Sequence, residues 1–125
     1  LHLLSRRQRQ MCIRDSNYNV VLCERGIRTF ETATRNTLDI SAVPVIKERS
    51  CLPIIVDPSH AAGKSAYIQS LSLAAAACGA DGLIIEVHPC PKCAMSDAKQ
   101  QLTPAQYAEL FAEVRRVAQA IGREV

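Results

Sequence analysis

Apolar side chains along this chain fall into short unbroken runs separated by helix-length amphipathic stretches. The runs are Val20 to Cys23, Leu52 to Val56 and Leu83 to Val87, and polar or ionisable residues follow each: Glu24 and Arg25, then Asp57 to His60, then His88. Runs of this length are strand-sized, and because none alternates with polar positions they predict a parallel sheet covered on both faces. Three helices are predicted in the remaining segments. Ser41 to Ser50 carries Pro44 in its first turn, where the missing N–H is not required, and Ser41 can start it. Ser65 to Cys78 carries Ile68, Leu71 and the alanine run Ala74 to Ala77, with Gly79 as its C-terminal stop. Thr103 to Ile121 opens on a capping box of Thr103 and Gln106 with Pro104 at the first helical position. Tyr107, Leu110, Phe111, Val114 and Ile121 trace its apolar face, and Gly122 ends it.

Strand followed by helix, three times over, is an α/β pattern whose crossovers lay the three strands side by side. All three strands then end at one edge, the edge where α/β folds build their sites. Arg25, His60 and Glu86 are expected to face one pocket there, with Asp97 folding back from the following loop. An arginine at a strand tip offers a rigid fork to phosphate or carboxylate, and His60 with Glu86 suits either metal ligation or an acid/base pair. Each signal is weak alone, since a single histidine such as His60 or His88 is more often a hydrogen-bonded structural residue. Arg28, Thr29 and Lys64 lie beside these motifs and are as readily solvated or structural as phosphate-binding.

Composition narrows the class. With 125 residues, 48% hydrophobic and 22% charged, the chain has the make-up of one ordinary globular domain at most. Its net charge of +3 owes much to Arg6, Arg7, Arg9 and Arg14, so nothing points to a nucleic-acid partner. No apolar run approaches the roughly 18 residues of a membrane helix, and no signal-peptide core is evident, so a cytoplasmic protein is expected. The six cysteines, at 12, 23, 51, 78, 90 and 93, are spread through the pattern as reduced, mostly buried thiols would be. Residues 1–16, LHLLSRRQRQMCIRDS, keep neither a strand nor a helix period. "MCIRDS" resembles a translated sequencing adapter, so 1–16 is expected to be a leader foreign to the fold, with a native disordered arm as the other reading, and the fold is expected in 17–125.

The segments "LCERGIRTFETATRNTLDISAVPVIKE", "LPIIVDPSHAAGK" and "GADGLIIEVHPCPKCAMSDAKQQLTP" carry a more specific signal. In order and spacing they resemble the final third of the 3-deoxy-D-arabino-heptulosonate 7-phosphate (DAHP) synthases, in the subgroup similar to the octulosonate 8-phosphate synthases. The likeness runs from about Asn17 to the C-terminus. It implies the last three βα units of a (β/α)8 barrel. It also implies an enzyme that condenses phosphoenolpyruvate with erythrose 4-phosphate, releasing phosphate, at the entry to aromatic amino-acid biosynthesis. A divalent metal of the Mn, Fe, Co or Zn class is implied as cofactor, acting as a Lewis acid on the aldehyde. His60 of DPSH, Glu86 of IIEVHP and Asp97 of MSD stand where the family places three of its four metal ligands. Arg25 of CERG stands where it binds the phosphoenolpyruvate phosphate. The fourth ligand, a cysteine of the first barrel strand, matches none of the six cysteines, and the lysines and KPRT-type loop of the family are not in the chain. The full enzyme is expected to be a homo-oligomer, dimer or tetramer.

Two departures bear on this expectation. Cys90 and Cys93 form C-P-K-C beside His88 where the family commonly has acidic residues; half a zinc site, a redox pair and two tolerated loop thiols are the readings, the last favoured. A (β/α)8 barrel takes about 250 residues, so three strands leave open sheet edges, and the chain alone is expected to be poorly soluble and inactive. Two alternatives stand beside the main reading. One is an octulosonate 8-phosphate synthase, against which "GIRTFETATRNTLD" argues. The other is a non-catalytic CxxC metal-binding or redox module.

Overall fold

The computed structural model describes Asn17 and residues 19–124; the expected leader, 1–16, lies outside the described residues. Three parallel strands, β1 (Leu22–Glu24), β2 (Ile54–Val56) and β3 (Gly82–Leu83), form one sheet in the order β1-β2-β3. Among the described residues four helices accompany them: α1 (Ala42–Arg49), α2 (Pro58–Ala62), α3 (Ser65–Ala77) and α4 (Pro104–Ala120). Two short 3₁₀ turns, Pro91–Cys93 and Ala98–Gln100, shape the loop between β3 and α4.

The register sets Leu22 opposite Ile54 and Glu24 opposite Val56, with Leu83 beside Val56. Because side chains alternate along a strand, Leu22, Ile54, Val56 and Leu83 share the face that packs on the helices. There Val43, Ile54, Val56, Ala75 and Ala80 form a core, and Leu83 bridges to a second cluster of Ile68, Leu102, Leu110 and Val114. The opposite face carries Cys23 and Ile55, with Val21 and Ile84 exposed beside the strands. The sheet is therefore covered on one face among the described residues, not on both as the unbroken apolar runs predicted. Such runs report that both faces are apolar; they do not say which residues cover them.

Helix boundaries follow local chemistry. At α3 the chain turns out through Gly79 at φ 91°, with Gly79 N–H donating to Ala76 O at 3.0 Å and Ala80 N–H to Ala75 O at 3.1 Å, the paired closure of a left-handed C-terminal stop. At α4 the Thr103 side chain accepts from the Gln106 N–H while Gln106 reaches back to the Thr103 N–H, with Pro104 in the first turn. Of its expected apolar face, Leu110 and Val114 are buried, but Tyr107, Phe111 and Ile121 are exposed. Tyr107 and Phe111 line an open groove of about 730 Å³ between α4 and β3. Ser41 does not cap α1 with its side chain, because its hydroxyl is hydrogen-bonded to the Asp39 carboxylate.

The third strand is shorter than expected, and β2 explains it. Ladder bonds continue as far as Ile84 N–H to Val56 O at 2.9 Å. Pro58 then starts α2 and turns the neighbouring backbone away, so Glu86 N–H donates to the Ser59 hydroxyl at 3.1 Å instead. Residues 86 to 88 pair with Leu102: Leu102 N–H donates to Glu86 O at 3.0 Å and His88 N–H to Leu102 O at 2.9 Å. These bonds close the base of the loop that carries Asp97.

Candidate metal centre

Asp57, the residue after β2, organises the polar end of the sheet. One of its oxygens accepts the His60 N–H at 3.0 Å, capping α2. The other accepts His60 Nδ1 at 2.8 Å and Arg25 Nε at 2.9 Å. The Asp57 side chain is 1% exposed, so a buried carboxylate is neutralised by three donors that it fixes in return. Nδ1 faces Asp57, and a proton held there leaves the Nε2 lone pair on the other side of the ring for a cation.

Two carboxylates meet that nitrogen. Glu86 Oε1 lies 3.3 Å from His60 Nε2 and Asp97 Oδ2 lies 3.9 Å from it. One ligand atom from each of His60, Glu86 and Asp97 falls within 4.8 Å of the others, a spacing at which a single cation can be shared. Each carboxylate has its second oxygen tied elsewhere. Glu86 Oε2 accepts Gln100 Nε2 at 2.7 Å and Gln101 Nε2 at 3.3 Å, while Asp97 Oδ1 accepts Arg35 Nη1 at 2.9 Å. Arg35 Nη1 also donates to Gln100 Oε1 at 3.2 Å, so one arginine and one buried glutamine link the two acids. The donor set, one imidazole and two half-engaged carboxylates, fits a borderline or hard divalent cation.

The backbone that carries these groups is constrained. Asp97 has φ 51°, a left-handed conformation that a short polar side chain tolerates, at the reversal where its loop turns back. Gly26 and Gly63 also have positive φ, and a side chain on either would collide with the side chains of residues 35 and 36: a Cβ would lie 2.6 Å from Asn36 Cβ at Gly26 and 2.7 Å from Arg35 Cβ at Gly63. Those two glycines let residues 35 and 36 lie against α2, where Asn36 N–H donates to Ala61 O at 2.9 Å and Arg35 N–H to Ala62 O at 3.1 Å. The Arg35 that reaches Asp97 is thereby anchored.

Arg25, His60, Glu86 and Asp97 are thus gathered at one edge, with Arg25 joined to the cluster through Asp57. Half of the Arg25 side chain is exposed, and with Nε engaged its terminal nitrogens are left for an anion. Lys64 donates to Ala33 O at 2.9 Å and fastens the loop after Gly26. His88 accepts the Cys90 N–H on Nδ1 at 3.0 Å. Asp57, Arg35 and Gln100 went unrecognised from sequence; the capping position of Asp57 before Pro58 was a usable signal, whereas Arg35 and Gln100 meet their partners only across the fold.

Comparison with known proteins identifies the family. The DAHP synthetase I family matches residues 5–121. The chain belongs to that family. It is 56% identical over 109 residues to phospho-2-dehydro-3-deoxyheptonate aldolase of Thermotoga maritima, covering 87% of this chain and 32% of that protein. The crystal structure of that aldolase superposes with a TM-score of 0.89 at 54% identity, over 90% of this chain and 33% of the other. A 2-dehydro-3-deoxyphosphooctonate aldolase of Desulfotalea psychrophila is 32% identical over 95 residues, covering 67% of this chain and 34% of its own. The chain therefore spans about a third of the length of these curated relatives. The α/β fold with its parallel sheet matches the DAHP synthase structure, and the heptulosonate relationship is much nearer than the octulosonate one.

Proposed function

We propose that this chain is the C-terminal part of a DAHP synthase, three βα units of a (β/α)8 barrel. The complete enzyme joins phosphoenolpyruvate to erythrose 4-phosphate and releases phosphate, the first step of the shikimate pathway. The observation that carries the reading is the convergence of His60, Glu86 and Asp97 within 4.8 Å at the strand-end edge. His60, Glu86 and Asp97 would hold a divalent ion of the Mn, Fe, Co or Zn class, with a further ligand from another part of the complete enzyme. When bound, that ion supplies Lewis-acid polarisation of a carbonyl oxygen.

The chain's own residues bind and orient. Asp57 keeps the His60 proton on Nδ1 and sets the angle of Arg25, whose outward nitrogens take the phosphate of phosphoenolpyruvate. Gln100 and Arg35 hold Glu86 and Asp97 so that one oxygen of each faces His60. The complete protein works as a cytoplasmic homo-oligomer, dimer or tetramer, on small phosphorylated substrates. The C-P-K-C module reading is weaker: among the described residues the donor group of metal-site spacing is His60, Glu86 and Asp97, without Cys90 or Cys93.

The test is a chimera in which residues 17–125 replace the matching segment of the Thermotoga maritima aldolase. Phosphate release from phosphoenolpyruvate is expected with erythrose 4-phosphate and not with arabinose 5-phosphate, and Arg25→Ala is expected to raise the KM for phosphoenolpyruvate. Turnover with arabinose 5-phosphate in preference would favour the octulosonate reading. A folded chimera that turns over neither would overturn the proposal.

A further inference from the structure

Cys90 and Cys93 flank Pro91 and Lys92 in the 3₁₀ turn Pro91–Cys93, on the loop between Glu86 and Asp97. Cys93 N–H donates to Cys90 O at 2.8 Å, closing the turn, and both cysteines are exposed. A turn closed in this way keeps its end Cα atoms within about 7 Å. Disulfides span Cα separations of about 4.4–6.8 Å, so little backbone movement separates the dithiol from a bridge. The Cys90 thiol pushes the Cys93 thiol above its ordinary pKa. Cys78 differs: its thiol donates to Ile40 O at 3.4 Å inside the fold.

We infer that Cys90 and Cys93 are a reversible dithiol–disulfide site, in exchange with small disulfides of the glutathione class. The Cys90 thiolate attacks one sulfur of the small disulfide, breaking its S–S bond; a mixed disulfide forms and one small thiolate leaves, taking a proton from solvent. Cys93 gives up its proton and attacks the mixed disulfide at the Cys90 sulfur, expelling the second small thiolate. Two protein thiols are oxidised and one small disulfide is reduced to two thiols. A metal reading of the same residues is disfavoured because His88 spends Nδ1 on the Cys90 N–H and the trio lacks the spacing of a shared ligand set. Asp57, Arg35, Gln100 and Gln101 make the contacts that hold His60, Glu86 and Asp97, and neither thiol is among them. Oxidation therefore closes the turn without taking a partner from the metal cluster.

Lys92 supplies the readout, because trypsin cuts between the two cysteines and the fragments stay joined only through a disulfide. The full chain is equilibrated in oxidised or reduced glutathione, alkylated, digested and weighed by mass spectrometry without reduction. A fragment pair joined through Cys90 and Cys93, two hydrogens lighter than the separate thiols, is expected in oxidised buffer. It should fall on the order of tenfold in excess reduced glutathione, persist in Cys78→Ala and vanish in both Cys90→Ser and Cys93→Ser. Separate glutathione adducts on each cysteine, unmodified thiols in oxidised buffer, or a linkage that survives Cys90→Ser would overturn the inference.

Discussion

At the polar edge of the sheet the candidate site side chains find partners within this chain. Asp57 takes Arg25 and His60, Gln100 takes Glu86, and Arg35 takes Asp97. Elsewhere, among the described residues, apolar surface is open: Val21 and Ile84 beside the strands, and Tyr107 and Phe111 in the α4 groove, are all between 40% and 49% exposed. The difference is one of range. Hydrogen bonds and ion pairs act between a few atoms, so a short stretch of chain can complete them, whereas covering a sheet face takes whole elements. Among the described residues, a polar site with its partners in place stands beside exposed apolar surface.

Asp57→Ala should produce the largest loss of cation binding. It strands Arg25 and the His60 ring and removes the α2 cap; divalent-cation affinity is expected to fall about 10–100-fold and stability by about 2–3 kcal/mol, read by calorimetric titration and urea unfolding. An unchanged affinity would mean that the cluster does not depend on this carboxylate. In the α4 groove, Leu110→Ala should cost about 2–4 kcal/mol, while Phe111→Ala one position on should cost less than about 1 kcal/mol. Equal losses in urea unfolding would show that the groove is covered in solution. Gln100→Ala should weaken cation binding about tenfold, less than loss of Asp57, because Gln101 still reaches Glu86 at 3.3 Å.

The smallest effect lies at Asp81, which lines the same groove as Tyr107 and Phe111. Burial acts to raise the pKa of Asp81, but hydrogen bonds from Lys47, the Ile54 N–H and Arg123 outweigh it and lower the carboxyl to about 2 from 3.8. A depressed folded-state pKa stabilises above the unfolded value, so this contribution is complete above about pH 4 and is lost as pH falls towards about 2. At so accessible a site it amounts to about 1 kcal/mol. Asp81→Asn should remove that part of the acid dependence in denaturation curves taken across the interval, and an unaltered slope would contradict the assignment.

Local signals were well legible in the sequence. The Thr103/Gln106 capping box, Pro104 and the Gly79 stop involve residues within a few positions of each other, and they appear as expected. The strand order followed from alternating strands and helices, and the gathering of His60, Glu86 and Asp97 followed from motif order. Three features were not legible. A five-residue helix such as Pro58–Ala62 is too short to show a period, and its presence cuts the third strand's ladder after Leu83. The Arg35–Asp97 bond joins positions 62 apart and the Arg35–Gln100 bond positions 65 apart, which no local pattern encodes. The apolar runs could not reveal which face the described residues leave uncovered.

The most direct test of the account is manganese binding to the full chain, by equilibrium dialysis, for wild type, His60→Ala and the double variant Cys90→Ser, Cys93→Ser. The account predicts one cation per chain in wild type and in the double cysteine variant, and loss of that cation in His60→Ala. Retention of binding in His60→Ala, or its loss on removing the two thiols, would contradict the placement of the metal centre at His60, Glu86 and Asp97.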